Sequence, residues 1–586
     1  MAGAAAWPAT RSSPGSAARR RASPTRPPRP ACGWSRARSA RLPPRYTLSM
    51  HTRIKKIVIV GGGTAGWLSA IHLSRFWKRG RGAGDLEITV VEAPDIPIVG
   101  VGEATTGLFT TFIRNLSGER EFLRETKASF KLGILHRNWT GDGSYYLGPL
   151  NDDRQLGIPA VPPETYPYFF AASVAEGEPA WENVLNSRLM LDHLAPYSRP
   201  PGQDEQSAWD YAYHFDTHIV GAYLRSKCEG VTHIEGTVEA VNLEPDNGHV
   251  RSVTLADGRE IEGDFFVDCS GFRKLIIGGA YEEEWISYAE HLPVNRALPF
   301  SVPHEEGASI PSYTHAWALS SGWLWQIPTQ ERLGCGYAYC DDFISRDEAQ
   351  AEVEAALGHP IEPWGDIRIA SGRFRRLWIK NCVAIGLSGA FSEPLESTSI
   401  HGTLVQLLVL VQEYLTDHFD FDAEPILDRY NRRMGRMYDD FRDFLVMHYQ
   451  GGRDDTEFWR SIGINDSAHE RLDLWRHKTP ISTDLDPYFG AIDMKLWFFT
   501  LDGLGLLDPE VARREMDYYG LWDDARRAHR EQRTKGDRFV RHAIPHARYL
   551  EQASAAPAAT PPASQPQPPR QPRLSRAERR RRSRGR

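Results

Sequence analysis

Residues 50–550 predict an α/β (α+β) fold: a strand-and-helix module interrupted by a β-meander and followed by a helical region. Three observations predict it. An apolar run, Ile57 to Val60, breaks at a glycine cluster and continues as a helical pattern from Thr64 to Trp77. A later stretch, Gly236 to Arg273, reads as short alternating strands joined at Asn247-Gly248 and Asp257-Gly258, both hairpin pairs. Beyond residue 420, apolar residues recur at helical spacing, as in Ile426, Tyr430, Met434 and Tyr438.

The glycine cluster is GxGxxG, formed by Gly61, Gly63 and Gly66. In a Rossmann-like turn the first glycine allows the tight bend. The second lets backbone approach a pyrophosphate, and the third lets helix and strand pack closely. Thr64 and Ala65 open the helix, whose free N–H groups and positive dipole end suit phosphates. A second run, Leu86 to Val91, ends in Glu92, 26 residues past Gly66, where a ribose-hydroxyl acceptor belongs. That order predicts dinucleotide binding rather than a merely structural turn. The meander then feeds Asp264 to Gly271, an apolar strand ending on small residues. A later strand, Asn381 to Phe391, brings Gly386 and Gly389 toward the same place. Three separated strand-to-glycine turns favour FAD over NAD.

Charge is unevenly spread. Residues 1–49 hold ten arginines and no acid, and residues 551–586 hold nine arginines and two glutamates. Removing these +10 and +7 ends from the formal −6 leaves −23 on residues 50–550, a poor surface for nucleic acid. Both ends are rich in Arg, Pro, Ala and Ser and are expected to be disordered tails. Met50 stands just before the first strand and is an alternative start. Six scattered cysteines show no CxxC or CxH spacing, which suits a reducing cytoplasm and predicts neither a disulfide framework nor a metal site. No run approaches 18 apolar residues, so no membrane span is expected. The predicted organisation is a tail at 1–49, a discontinuous FAD-binding module at 50–419, a helical substrate-side region at 420–550 and a tail at 551–586.

Three local features bear on chemistry. The stretch SSGWLWQIPTQ, Ser320 to Gln330, puts Trp323, Trp325 and Ile327 on one face of a strand, with Pro328 at its end. Core packing explains two such indoles as well as a wall does. A helical reading of Phe122 to His136 sets Lys131 among Phe130, Ile134 and Leu135, where dehydration would depress its pKa; a neutral amine there could be halogenated, or an ammonium could hold an oxidant by hydrogen bond, and the sequence leaves both open. A snorkelling surface lysine is the other reading, and Lys127 lies one turn away. Glu393 and Glu396 precede an apolar helix, where acids favour the N-terminus by about 0.3–1 kcal/mol.

Taken together, VIVGGGTAGW, IPIVGVGEATT, ASFK, AYHFDTHIV, GWLWQIP with its WxWxIP signature, VAIGLSGAFSEPLESTSI and RDDTEFW resemble the flavin-dependent halogenases of the tryptophan halogenase type over most of residues 52–510. The resemblance implies reduced FAD from a separate NADH-dependent flavin reductase, O₂, and chloride or bromide. Hypohalous acid would pass through a tunnel to a lysine beside an electron-rich aromatic substrate. That lysine maps to Lys131 and the acceptor of the ring proton to Glu396, where a carboxylate would also stabilise the cationic ring. Ser397 counts among the catalytic residues and, with Thr398 and Ser399, is expected to line the halide site at a helix start. The family usually has glycine where this chain has Ser399. Trp323, Trp325, Ile327 and Pro328 are expected to stand between flavin and substrate, passing only a small oxidant; packing remains a second role.

The resemblance thins in two places. The segment Asp484 to Pro509 runs almost straight through where tryptophan halogenases carry a tyrosine-rich insertion. SYYLGP, Ser144 to Pro149, stands where they place a histidine and an aromatic against the indole. An indole-like or phenolic substrate is therefore expected rather than free tryptophan. Segments Pro159 to Arg199 and Gln326 to Arg346 are expected to build pocket walls and hairpins over the flavin, and a homodimer is compatible. Two alternatives remain at this point: a flavin monooxygenase or other oxidoreductase on the same scaffold, and a non-catalytic FAD-binding protein.

Overall fold

A six-stranded sheet carries the glycine turn at its centre. Its order is Trp378–Ile379, Cys382–Ala384, Phe265–Asp268, Lys56–Val60, Glu87–Glu92, Thr232–Glu235, parallel except at the first pair. The computed structural model describes residues 52–77, 86–94, 102–150, 167–201, 210–485 and 492–555, all within one compact unit. Both faces of the central strands are covered, so residues 57–60 and 265–267 are continuously apolar, while the edge strand Thr232–Glu235 is partly exposed. Ile57, Ile59 and Val267 point into one core, and Val58, Val60 and Phe266 into another. The helix after the turn is α-helical over Thr64–Ile71 and widens to a π-helix over His72–Trp77. The meander forms as expected, from Val238–Leu243, Val250–Leu255 and Glu260–Glu262.

A seven-stranded sheet faces the first module. Its order is Ile367–Arg368, Arg296–Pro303, Arg332–Tyr339, Gly322–Pro328, Thr314–Ala318, Gly133–Arg137, Tyr145–Pro149. The tryptophan strand, Gly322–Pro328, alternates as read. Trp323, Trp325 and Ile327 join the main core, while Leu324 joins a separate cluster with Leu298 and Tyr337.

Lys131 corrects the helical reading of residues 122–136. The helix Glu119–Thr126 stops at Lys127, which is left-handed (φ 55°). The chain then enters two strands, Ser129–Lys131 and Gly133–Arg137. Alternation buries Phe130 on one side of the short strand and sends the lysine the other way. Segment 167–199 also departs from expectation. Its helices Tyr168–Glu176 and Leu185–Leu191 pack against helices Pro509–Tyr519 and Trp522–Val540, away from the cofactor cavity.

From Glu424 the chain is largely helical. The helix Glu424–His448 buries Tyr430, Met434 and Tyr438, whereas Ile426 is exposed. The last helix, His546–Ala555, takes in residues 551–555, which the sequence assigned to a tail. Residues 1–49, 486–491 and 556–586, where both tails and part of the shortened insertion fall, lie outside the described residues. Among the described residues no helix is long and apolar enough to cross a membrane.

Candidate active site

A cavity of about 370 Å³ opens beside the glycine turn, lined by Gly61, Gly63, Thr64, Ala65, Glu92 and Gly386. The glycines explain its shape. Gly61 is left-handed (φ 117°), and a Cβ there would meet the Cys269 carbonyl oxygen at 2.1 Å. A Cβ on Gly63 meets nothing within 4 Å. It would project into open space, where the middle glycine of this motif lets a pyrophosphate come close. Gly66 does not line the cavity; it lets helix and turn pack, with a Cβ position only 1.9 Å from the Gly61 carbonyl oxygen. Gly389 does not line it either, and a Cβ there would meet Leu377. Glu92 accepts a hydrogen bond from His233 Nε2 at 2.8 Å. These residues fit a flavin adenine dinucleotide. Gly66→Ala is expected to overpack the turn by about 1–3 kcal/mol, or roughly 5- to 150-fold in FAD affinity. Flavin fluorescence titration of the purified variant measures this.

The cavity's other wall holds Trp323, Trp325 and Ile327 together with Ser397, Thr398 and Ser399. The two indole rings lie 6.1 Å apart, tilted at 59°. Trp325 lies flat on the neighbouring strand because Gly336 has no Cβ; one there would meet the ring at 2.1 Å. Pro328 does not line the cavity; its carbonyl accepts the Ser129 hydroxyl and ties the tryptophan strand to the lysine strand.

Ser397 links cavity and lysine. It is left-handed (φ 58°) at the start of helix Thr398–Val409, a conformation costing roughly 1–2 kcal/mol. Strain of this kind collects at functional sites. Its hydroxyl accepts a hydrogen bond from Lys131 Nζ at 2.8 Å, and the lysine is 2% exposed. Burial lowers the Lys131 ammonium to about 8, against the pull of Glu396, which raises it. Lys127, one helical turn earlier in the sequence, instead caps the helix Glu119–Thr126 and is half-buried. The first N–H groups of the Thr398 helix, those of Thr398 and Ser399 included, have no partner within the helix, and both residues line the cavity.

Glu396 is gripped from two elements. His136 Nε2, from the strand after Lys131, donates to Glu396 Oε1 at 2.9 Å, and His448 Nε2 donates to the same oxygen at 3.0 Å. Burial alone would raise this carboxyl, but the two histidines outweigh it and hold Glu396 well below the usual carboxylate range. Burial lowers His136 to about 4. Tyr146 stacks on His136, with rings 4.5 Å apart and 9° from parallel. Glu393 is separate. It accepts from the Tyr449 hydroxyl at 2.8 Å, and burial raises it to about 7.

Sequence reasoning missed His136, His448 and Tyr449. His136 lies on the strand after the lysine strand and in a different sheet, so neither helical nor strand spacing links it to Lys131. His448-Tyr449 pairs with Glu396 and Glu393 over about 50 residues, a contact that only the long helix creates. His546 was also missed. Its Nε2 accepts the Phe130 N–H at 3.0 Å and so closes the outer edge of the lysine strand.

A glycine-turn cavity suited to FAD, with a tryptophan wall on its other side and a buried lysine bonded to a residue of its lining, defines a flavoenzyme. Residues 56–511 match the tryptophan halogenase family, and the chain belongs to that family. It is 36% identical over 503 residues to the tryptophan 7-halogenase RebH of Lentzea aerocolonigenes, covering 79% of this chain and 92% of that protein. It is 34% identical to the tryptophan 6-halogenase ThaL of Streptomyces albogriseolus over 482 residues, 78% of this chain and 88% of that one. Among solved structures it is similar to Tar14, a tryptophan C-6 flavin-dependent halogenase from taromycin biosynthesis. The TM-score is 0.76 at 28% identity, covering 86% of this chain and 100% of Tar14. The protein is a flavin-dependent halogenase that uses reduced FAD, O₂ and halide, takes its reduced flavin from a separate reductase and acts on an aromatic substrate. The monooxygenase and non-catalytic alternatives are not favoured.

Proposed function

We propose that the enzyme chlorinates or brominates an indole-like or phenolic compound other than free tryptophan, with Lys131 and Glu396 acting on the substrate side. The carrying observation is the contact of Lys131 Nζ with Ser397, a residue that also lines the cofactor cavity. FAD, held by Gly61, Gly63, Thr64, Ala65, Glu92 and Gly386, supplies oxygen activation when bound. Thr398 and Ser399 offer the halide backbone N–H groups at a helix start. Ser397 orients the lysine. Below pH 8 Lys131 is an ammonium that donates a hydrogen bond to hypohalous acid and polarises it toward the ring. Both histidines occupy Glu396 Oε1, so Oε2 is the oxygen that takes the ring proton.

The substrate class is supported by Tyr146, whose ring lies on His136 and against Gly503 and stands in the segment where the sequence departs from tryptophan halogenases. Apart from Tyr438, the residues lining the cavity come from before residue 420, which supports a cofactor module at 50–419 and a substrate-side helical region at 420–550. A cytoplasmic setting is supported by the free state of the five described cysteines. The test combines purified protein with FAD, a flavin reductase, NADH, O₂ and bromide, offered indoles, phenols and tryptophan. Products carrying the bromine isotope pattern are expected from the first two classes. Oxygenated products without halogen, or bromination of tryptophan alone, would sink the proposal.

The partition role of the tryptophan wall has its own test. Trp325→Ala opens the wall and is expected to yield oxygenated by-products beside the halogenated one. It also costs stability, by about 3–5 kcal/mol for a buried tryptophan. A lower melting temperature with unchanged product identity would leave packing as its whole role.

A further inference from the structure

The last turn of the helix Glu424–His448 places the His448 ring between two oxygens. Nδ1 lies 2.9 Å from the Phe444 carbonyl oxygen and Nε2 3.0 Å from Glu396 Oε1. A backbone carbonyl only accepts hydrogen bonds, and so does an ionised carboxylate. A neutral imidazole has one N–H, so one of its two contacts would set lone pair against lone pair. His136 Nε2 lies 2.9 Å from the same Oε1, and an oxygen receiving two N–H groups is the one that carries negative charge. His448 is fully buried, with Phe444 and Trp139 edge-on to its ring at 4.9 and 5.9 Å.

We propose that His448 is an imidazolium and a positioning residue, whose charge keeps Glu396 ionised and fixes its Oε1 so that Oε2 faces substrate. The proposal rests on the reading of Glu396 as the proton acceptor. The titratable groups facing His448 are Glu396 and Glu393, from the turn before helix Thr398–Val409, and His136, from its strand. Lys131 lies beyond Glu396, and Tyr449, the next residue, holds Glu393. Consecutive residues at the end of one helix thus serve two carboxyls three positions apart, one through charge and one through a neutral hydroxyl.

Neutron diffraction from deuterium-exchanged holoenzyme crystals near pH 7 reads the charge directly. Deuterons on both Nδ1 and Nε2 of His448, and none on Glu396 Oε1, are expected. A single ring deuteron with the other on Glu396 would overturn the proposal, as would a metal ion bridging the three groups. The second arm is His448→Gln, which keeps an N–H donor but removes the charge. The acidic limb of its kcat/KM profile is expected to move up by about 1–3 pH units, the range for loss of a close opposite charge, with FAD affinity unchanged. A rate lowered equally at every pH would mean a structural role only and would overturn it. Full halogenation by Glu396→Gln would remove the base assignment, while the neutron result would still decide the charge on His448.

Discussion

Lys131→Ala abolishes halogenation while the cofactor site stays intact. The lysine bonds Ser397 and does not itself line the cofactor cavity. Its removal therefore leaves FAD affinity and NADH-driven oxygen consumption in place. The loss falls on delivery of the oxidant, at about 10²–10³-fold or more in kcat, the cost of one preorganised donor. Brominated product by mass spectrometry, set beside flavin binding, separates the two. The alkaline side of the wild-type profile checks the donor role: activity falls as pH rises through about 8, where Lys131 loses its proton. Stability moves the opposite way. The folded-state value lies below the ordinary 10.5, so the unfolded chain binds more protons between the two, and stability contributed by this site rises across that window. Below about pH 8 the full burial penalty is present. Lys131→Met is accordingly expected to melt higher than wild type near neutrality, with the gap closing toward pH 10.5. A variant that halogenates normally, or one that loses flavin, would end the assignment.

Glu396→Gln costs about 10²–10⁴-fold in kcat, the usual contribution of a positioned general base. The amide keeps the size of the side chain and an acceptor for one histidine but cannot take the ring proton. KM for the aromatic substrate changes far less than kcat, since the group acts after binding. The carboxyl also gives an acid signature. Its folded-state pKa lies below the ordinary range, so its stabilising contribution is complete above the unfolded value and disappears as pH falls through the folded one. The glutamine variant lacks that part of the acid dependence. Equal loss in Glu393→Gln would point to the wrong carboxyl, because Glu393 bonds Tyr449 rather than the histidine pair.

Much of this was legible in the chain. The glycine turn reads directly, because only glycine tolerates the 1.9 and 2.1 Å approaches found at Gly66 and Gly61. The tryptophan strand reads directly as well, since period-two alternation settles which side chains share a face. Lys131 is singled out by motif, and periodicity assigns it to a helix where the structure has a strand. Phe122 and Leu123 belong to a real helix, and the left-handed Lys127 that ends it has no glycine to announce it. The histidine pair was hidden for another reason. Each histidine is local to its own element, and their meeting at one oxygen depends on tertiary packing that no spacing encodes.

The strand that carries Lys131 is finished by a histidine 416 residues downstream of its Phe130 partner. On a ribosome adding about 5–20 residues per second, that partner emerges ~20–80 s after the strand itself. The nucleotide-binding sheet and the tryptophan wall are complete well before then, for every strand in them precedes residue 385. The outer edge of the lysine strand is therefore closed last: pairing with Ala212–Phe215 sets its register early, and the His546 contact joins it only when the chain is nearly complete.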